Sequence, residues 1–184
     1  MLSAPSLTNM RCRRYRSGDR NACLGLFESN VPESFMPHER ELYLAFLDGA
    51  VGSYLVIENN VGTLIGCGGI AQRGDAVDLC WGLVGRRYHR QGVGRFLLRV
   101  RLAMAIALPG VGEVRMNTSN ETAPFFEREG FVTTEVTKDF FRPGLHKHEM
   151  RLVLTEDARA AIRDRLEETL EAGHHVEGDI SRIR

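Results

Sequence analysis

The sequence predicts an α/β fold, an α+β mixed sheet flanked by helices, and three features point to it. Short segments with apolar residues at every second position recur along the chain. Between them lie segments whose apolar residues fall at helical spacing, bounded by Gly, Pro, Ser and Asp. With 184 residues, 43% of them hydrophobic and 26% charged, the chain is long enough to bury one substantial core.

Each element follows in order. Residues 1–10 carry Ser, Pro, Thr and Asn and read as a flexible leader. Residues 11–15 form a first short strand, and Ser17-Gly18-Asp19 is the turn and N-cap signal for a helix to about Ser29. Pro32 and Pro37 bracket a loop over 31–37, before a second helix over 39–47 that Gly49 and Gly52 end. Residues 53–58 and 61–71, joined by Asn59-Asn60, read as an antiparallel hairpin. After a turn at 72–75, strand 77–84 alternates cleanly, with Val77, Leu79, Trp81 and Leu83 on one face and Asp78, Cys80, Gly82 and Val84 on the other. A basic loop over 85–91 leads through Gly92-Val93-Gly94 into an apolar helix, 95–108, stopped by Pro109-Gly110. Strand 113–116, helix 121–129, strand 131–137, a loop over 138–147 and strand 148–154 complete the pattern. A charged helix over 155–172 carries a narrow stripe of Ile162, Leu166 and Leu170, and the chain frays from His174. That stripe fits either the domain's own core or a second copy of the chain, so a homodimer is one of two arrangements left open.

Composition narrows the function. A net charge of zero removes the surplus of Lys and Arg that a general nucleic-acid binder or a polybasic membrane protein would need. The most apolar stretch, 103–108, is too short to span a bilayer, and residues 1–10 hold no apolar run of signal-peptide length, so the expected setting is the cytoplasm. Cys12, Cys23, Cys67 and Cys80 are scattered, with no CxxC and no His at ligand spacing, which predicts reduced thiols and no metal site.

Two glycine motifs compete for a phosphate. Gly66-Cys67-Gly68-Gly69-Ile70-Ala71 fits a dinucleotide fingerprint, but it lies within a strand with no helix after it, so close packing or a bulge explains its glycines better. His89-Arg90-Gln91-Gly92-Val93-Gly94 follows a strand and opens a helix, which gathers unpaired N–H groups and the positive helix end at one spot suited to a diphosphate. Arg86, Arg87, Arg90, Arg95 and Arg99 add charge nearby, and no Gly-Lys-Ser/Thr follows, so this is not a nucleotide-hydrolysing loop.

Residues 88–98, Tyr-His-Arg-Gln-Gly-Val-Gly-Arg-Phe-Leu-Leu, and 120–131, Asn-Glu-Thr-Ala-Pro-Phe-Phe-Glu-Arg-Glu-Gly-Phe, together resemble the GCN5-related N-acetyltransferase (GNAT) family. The first block is similar to its (Q/R)xxGx(G/A) motif for the acyl-CoA pyrophosphate, with His89 at the usual Gln/Arg position. The second is similar to its NxxAxxxYexxGF block. The resemblance covers residues 11–154 in element order and leaves 155–184 outside it.

It implies a sheet splayed between its fourth and fifth strands, with acetyl-CoA (coenzyme A) wedged in the opening. It implies cofactor contacts from His89, Arg90, Gln91, Gly92, Val93, Gly94 and Arg95, from the backbone of Val84, which pairs with the pantetheine amides, and from Asn120 and Phe126 on the arm. Asn120 before Glu-Thr-Ala is equally a helix N-cap. Asp78 matches the position of a glutamate base in histone-acetylating members. It is placed on the face of Val84 and six residues before it, about 20 Å of extended chain, although a solvated charge at a strand start reads as well. Phe126 stands where many relatives carry a tyrosine that protonates the leaving thiolate, and it has no proton to give. Cys80 reads as a packed thiol rather than an acyl carrier.

Acceptor residues should come from loops 31–37 and 138–147. Glu33 and Phe35 are the substrate-binding candidates, while Phe35, Phe140 and Phe141 read equally as core anchors. The activity implied is acetyl transfer from acetyl-CoA to a primary amine, on a small molecule or a protein, by direct attack in a ternary complex. The alternative is a noncatalytic acyl-CoA-binding or regulatory module.

Overall fold

The computed structural model describes residues 7–49 and 53–178. Residues 1–6 of the leader, Gly52 and the end of the tail lie outside the described residues. Along the chain run β1 (Arg11–Arg14), α1 (Arg20–Glu28), α2 (Glu39–Gly49), β2 (Tyr54–Glu58), β3 (Leu64–Arg73), β4 (Ala76–Val84), α3 (Val93–Ala107), β5 (Glu113–Ser119), α4 (Ala123–Arg128), β6 (Val132–Arg142), β7 (Leu145–Val153), α5 (Glu156–Glu171) and β8 (His175–Val176). The strands form one mixed sheet in the order β6-β7-β5-β4-β3-β2-β1-β8.

The sheet is split at its centre. β4 and β5 run parallel and pair only from Ala76 to Asp78 against Glu113 to Arg115, so the rest of β4 has no neighbour on that side. One sheet face is covered by α3, α4 and α5, where Phe96, Leu97 and Val100 pack on Ile70, Val77, Val114 and Met150. Each such side chain contributes about 1.5–3 kcal/mol relative to exposure. On the other face α1 and α2 lay Phe27, Tyr43 and Leu47 over Tyr54, Val56, Cys67 and Leu83.

A bulge in β4 changes the faces read from alternation. Gly69 pairs with Cys80 and Cys67 with Leu83, so Trp81 and Gly82 together oppose Gly68. Trp81 has φ +41°, an unusual left-handed conformation for a bulky residue. Before the bulge Val77 and Leu79 pack toward α3, while after it Trp81 and Leu83 pack toward α1 and α2. Asp78 and Val84 therefore lie on opposite faces, contrary to the strict alternation of the sequence pattern.

Three further expectations are corrected. Residues 138–147 are not an open loop: β6 and β7 continue as an antiparallel pair to a turn at Pro143-Gly144, with an irregular register between Thr137 and Arg142. The chain beyond His174 does not fray at once, because β8 pairs in parallel with β1. The end of the leader is held: Met10 is buried, its N–H donates to His174 Nδ1 at 3.2 Å, and Leu7 N–H donates to Gln91 O at 3.1 Å. The stripe of α5 meets the domain's own core, with Ile162 buried and Leu166 packed there. Arg99 of α3 fixes it by donating to Arg165 O at 2.8 Å and Thr169 Oγ1 at 2.7 Å, and Thr155 caps its start by accepting from Ala158 N–H.

The glycines of β3 do what packing asked of them. A Cβ on Gly69 would lie 2.7 Å from Ser53 O and 2.8 Å from the Tyr54 ring, and one on Gly66 3.0 Å from Val93.

Candidate active site

The turn between β4 and α3 is shaped by two left-handed residues, Arg90 at φ +60° and Gly92 at φ +89°. They aim the first amides of α3 outward: the earliest N–H to bond back is that of Phe96, to Gly92 O at 3.0 Å, so those of Val93, Gly94 and Arg95 are open to a ligand. A Cβ on Gly94 would meet only Val84 Cγ2 at 3.7 Å. The fold thus leaves room at Gly94 that its own packing does not require.

Most of the surrounding arginines serve other contacts. Arg86 pairs with Glu33 at 3.2 Å, Arg87 lies over the Tyr88 ring at 4.8 Å, Arg95 pairs with Glu129 at 3.3 Å, and Arg99 points to α5. Arg90 alone of the five has no partner among the described residues. Gln91 Nε2 braces the turn by donating to Arg87 O at 2.8 Å.

Val84 stands at the mouth of the split. Gly85 N–H donates to Ile65 O at 3.0 Å, while Val84 pairs with Gly66. In an antiparallel ladder this puts the N–H and C=O of Val84 on the side away from β3, facing the split. The carbonyl is already filled: Asn30 Nδ2 donates to it at 2.8 Å, and so does His89 Nε2 at 2.9 Å. The N–H is the group of Val84 left for a ligand. His89 accordingly braces β4 rather than facing a phosphate.

At the other end of the split a cleft of about 540 Å³ opens on the face away from α3. Asp78, Glu113, Arg115, Asn117, Thr134, Glu149 and Arg151 contribute to its lining. Asp78 is partly exposed and pairs with Arg73, itself 75% exposed, at 2.8 Å. Glu149 pairs with Lys147 at 2.7 Å. Sequence reading missed Asn117, Thr134 and Glu149, although the alternation of Glu149 and Arg151 with buried Met150 and Leu152 was visible. A larger cleft, about 730 Å³, lies between α1 and the Arg86–Tyr88 turn and holds no carboxylate.

The remaining candidates divide. Phe126 is buried, edge-on to Phe125 at 4.9 Å and to Phe131 at 5.7 Å. Asn120 is not the N-cap of α4, a position held by Thr122. Its side chain instead accepts from His146 N–H at 2.8 Å and donates to Gly144 O at 3.4 Å, tying β5 to the β6–β7 hairpin. Phe35 is a core anchor, 5.3 Å from Phe27 and 6.1 Å from Trp81 between ring centres, and Glu33 is held by Arg86.

Beneath Trp81 runs a chain of buried hydroxyls. Tyr54 donates to Trp81 O at 3.0 Å. A carbonyl can only accept, so Tyr43 must donate to Tyr54 across 2.9 Å and the Cys67 thiol to Tyr43 across 3.3 Å. This chain holds the bulge. Burial pushes the Cys80 thiol up, as expected of a packed thiol. Among the described residues no group of three His, Cys, Asp or Glu could hold a metal ion, and no helix is long and apolar enough to cross a membrane.

A mixed sheet split between parallel strands, with open helix amides at one end of the split and carboxylates at the other, is the framework of an acyltransferase class. The chain belongs to the GNAT acetyltransferase family: residues 31–154 match the family model described as an acetyltransferase (GNAT) domain. A GNAT-family structure from Desulfovibrio desulfuricans is 25% identical, with TM-score 0.63 over 79% of this chain and 99% of that one. Two further structures share the fold. The ribosomal-protein-S18-alanine N-acetyltransferase of Escherichia coli is 16% identical, TM-score 0.65, over 79% of this chain and 94% of that one. A Salmonella typhimurium protein with its cofactor acetyl-CoA is 20% identical, TM-score 0.63, over 80% of this chain and 95% of that one. A search of the curated proteins finds no match.

Proposed function

We propose that the protein transfers an acetyl group from acetyl-CoA to a primary amine by direct attack in a ternary complex. The observation that carries this reading is the split itself, with open amides at Val93, Gly94 and Arg95 on one side and Asp78 and Glu149 in the cleft at its other end. The residues present fit the coenzyme: the open amides and Gly94 suit its diphosphate, and the Val84 N–H suits an amide of its arm, while Phe126 of α4 is a buried apolar ring against Phe125 and Phe131. When bound, acetyl-CoA supplies a thioester carbonyl for attack.

Asp78 and Glu149 draw an ammonium into the cleft. The Asp78 carboxylate, once released by exposed Arg73, accepts the proton that the amine must lose, directly or through water. Phe126 offers no proton to the coenzyme sulfur, which would then leave as a thiolate or take its proton from water. The four free cysteines suit a reducing compartment such as the cytosol. The absent hydroxyl at position 126 and the Asp78–Arg73 pair also favour a second reading, a module that binds acyl-CoA without turnover. Mixing the protein with acetyl-CoA and a panel of amines decides between them. Thiol release that requires an acceptor is the expected result, and tight binding without release for every amine would establish the second reading.

A further inference from the structure

Arg101 is turned from α3 into the core and is 4% exposed. Its Nε has no acceptor, and no hydrogen bond or ion pair reaches the guanidinium among the described residues. Burial lowers its pKa to about 10, so it keeps its charge at neutral pH. The titratable groups that act on it most are Tyr54 of β2, Cys80 of β4, Cys67 of β3 and Cys12 of β1, none of them a carboxylate. Burial pushes the Cys12 thiol up to about 12 and raises Tyr54 and Cys80. The Cys67 thiol, which donates to Tyr43, lies on the opposite face of the sheet. An unpaired buried cation of this kind destabilises the fold.

Two glycines make room for it. A Cβ on Gly82 would stand 3.1 Å from both Nη atoms, and one on Gly68 would stand 3.2 Å from Nη1. Gly82 lies on the stretch of β4 that has lost its β5 neighbour, so the charge rests against bare backbone beside the split. Arg101 sits about 12 Å along α3 from Val93, and Gly82 is about 7 Å of strand inward from Val84. Along β4 and α3 the cation thus falls between the phosphate turn and Asp78, the span that the acetyl-CoA reading gives to the reacting end of the arm.

We propose that Arg101 is the group that holds the coenzyme sulfur as a thiolate. The inference rests on the acetyl-CoA reading above. The amine nitrogen bonds to the acyl carbon, the carbon–sulfur bond breaks with its electron pair remaining on sulfur, and the amine proton goes to Asp78 or water. The thiolate stays opposite the guanidinium and takes a proton from solvent after release. This supplies electrostatically what Phe126 cannot supply as an acid.

The test titrates the thiol of coenzyme A bound to the intact protein by its thiolate ultraviolet absorbance, with desulfo-coenzyme A as the blank. The bound thiol should titrate about 1–3 pH units below the free coenzyme, the range for an adjacent opposite charge. Arg101→Met should return it to the free value, and Arg101→Lys should keep part of the shift. Arg101→Met should also melt no lower than the natural protein, since it removes an unpaired buried charge, whereas a structural arginine would give a lower melting temperature. A wild-type bound thiol that titrates like the free coenzyme overturns the proposal even if no variant folds, and leaves the acetyl-CoA reading standing. Failure of coenzyme A to bind overturns both.

Discussion

At the scale of single residues, position on the split decides which side chains can act. Asp78 is the last β4 residue paired with β5, and the bulge turns it to the face opposite Val84. An arm entering past the α3 amides and an amine entering the carboxylate cleft would then meet from two sides, and Asp78 belongs to the amine's side. Asp78→Asn keeps the shape and removes the proposed base, so turnover should fall about 10²-fold or more while acetyl-CoA affinity, read by calorimetry, stays within a factor of two or so. Wild-type turnover across pH would reduce Asp78 to a surface charge paired with Arg73. Phe126 calls for the opposite experiment. Its ring is packed between Phe125 and Phe131, so a hydroxyl added there would be directed by packing and not by a proton relay. Phe126→Tyr should change turnover less than about tenfold, and a gain near 10²-fold, the scale of a restored general acid, would show that thiolate protonation limits the reaction.

At the scale of elements, the start of α3 carries the cofactor argument. Since a Cβ at Gly94 meets nothing closer than 3.7 Å, Gly94→Val should fold with near-natural stability and yet weaken acetyl-CoA binding strongly, because the added methyls occupy the space a phosphate needs. Unchanged affinity in the folded variant would remove the phosphate assignment. This helix was legible in the sequence because Gly92-Val93-Gly94 and Pro109-Gly110 bracket an apolar run. The β2–β3 hairpin was legible from its Asn-Asn turn, and in the structure Asn59 Oδ1 accepts from Val61 and Thr63 N–H. Other elements were hidden for physical reasons. The β4 bulge needs the hydroxyl chain from Cys67, Tyr43 and Tyr54 to hold Trp81, and those residues are distant in sequence. The β6–β7 arm lacks clean alternation because its register slips around Asp139, which has φ +52°. β8 is two residues long and exists only because β1 offers an open edge. The carboxylate cleft was hidden for a related reason, since Asp78, Asn117 and Glu149 meet only through strand pairing.

At the scale of the whole molecule, the far edge of the sheet is held by charge. Arg13 joins β1 to two partners, donating to both carboxylate oxygens of Asp19 at 2.8 Å each and to Glu58 at 2.8 Å. Asp19 also accepts from Arg16 N–H at 2.8 Å. The cluster is mostly buried, so solvent screens it less than the surface pairs. Burial by itself would raise the Asp19 pKa, but the hydrogen bonds from Arg13 and Arg16 together outweigh it and hold the carboxyl below its ordinary value. The linkage follows from that direction: a carboxyl depressed by folding stabilises the folded state above the unfolded value, about pH 4, and the contribution is lost as pH falls through the lower folded value. Exposed Arg11 and Arg16 pair with Glu177 beside β8 and add little individually. Acid should therefore loosen the edge where α1 and β8 join β1 before it touches the split. Asp19→Asn should cost about 1–3 kcal/mol at neutral pH by leaving Arg13 partly unpaired, and should flatten the loss of stability below pH 4 in denaturant titrations. An equally steep acid limb in Asp19→Asn would assign the acid sensitivity to other carboxylates and leave the Arg13 cluster without a part in it.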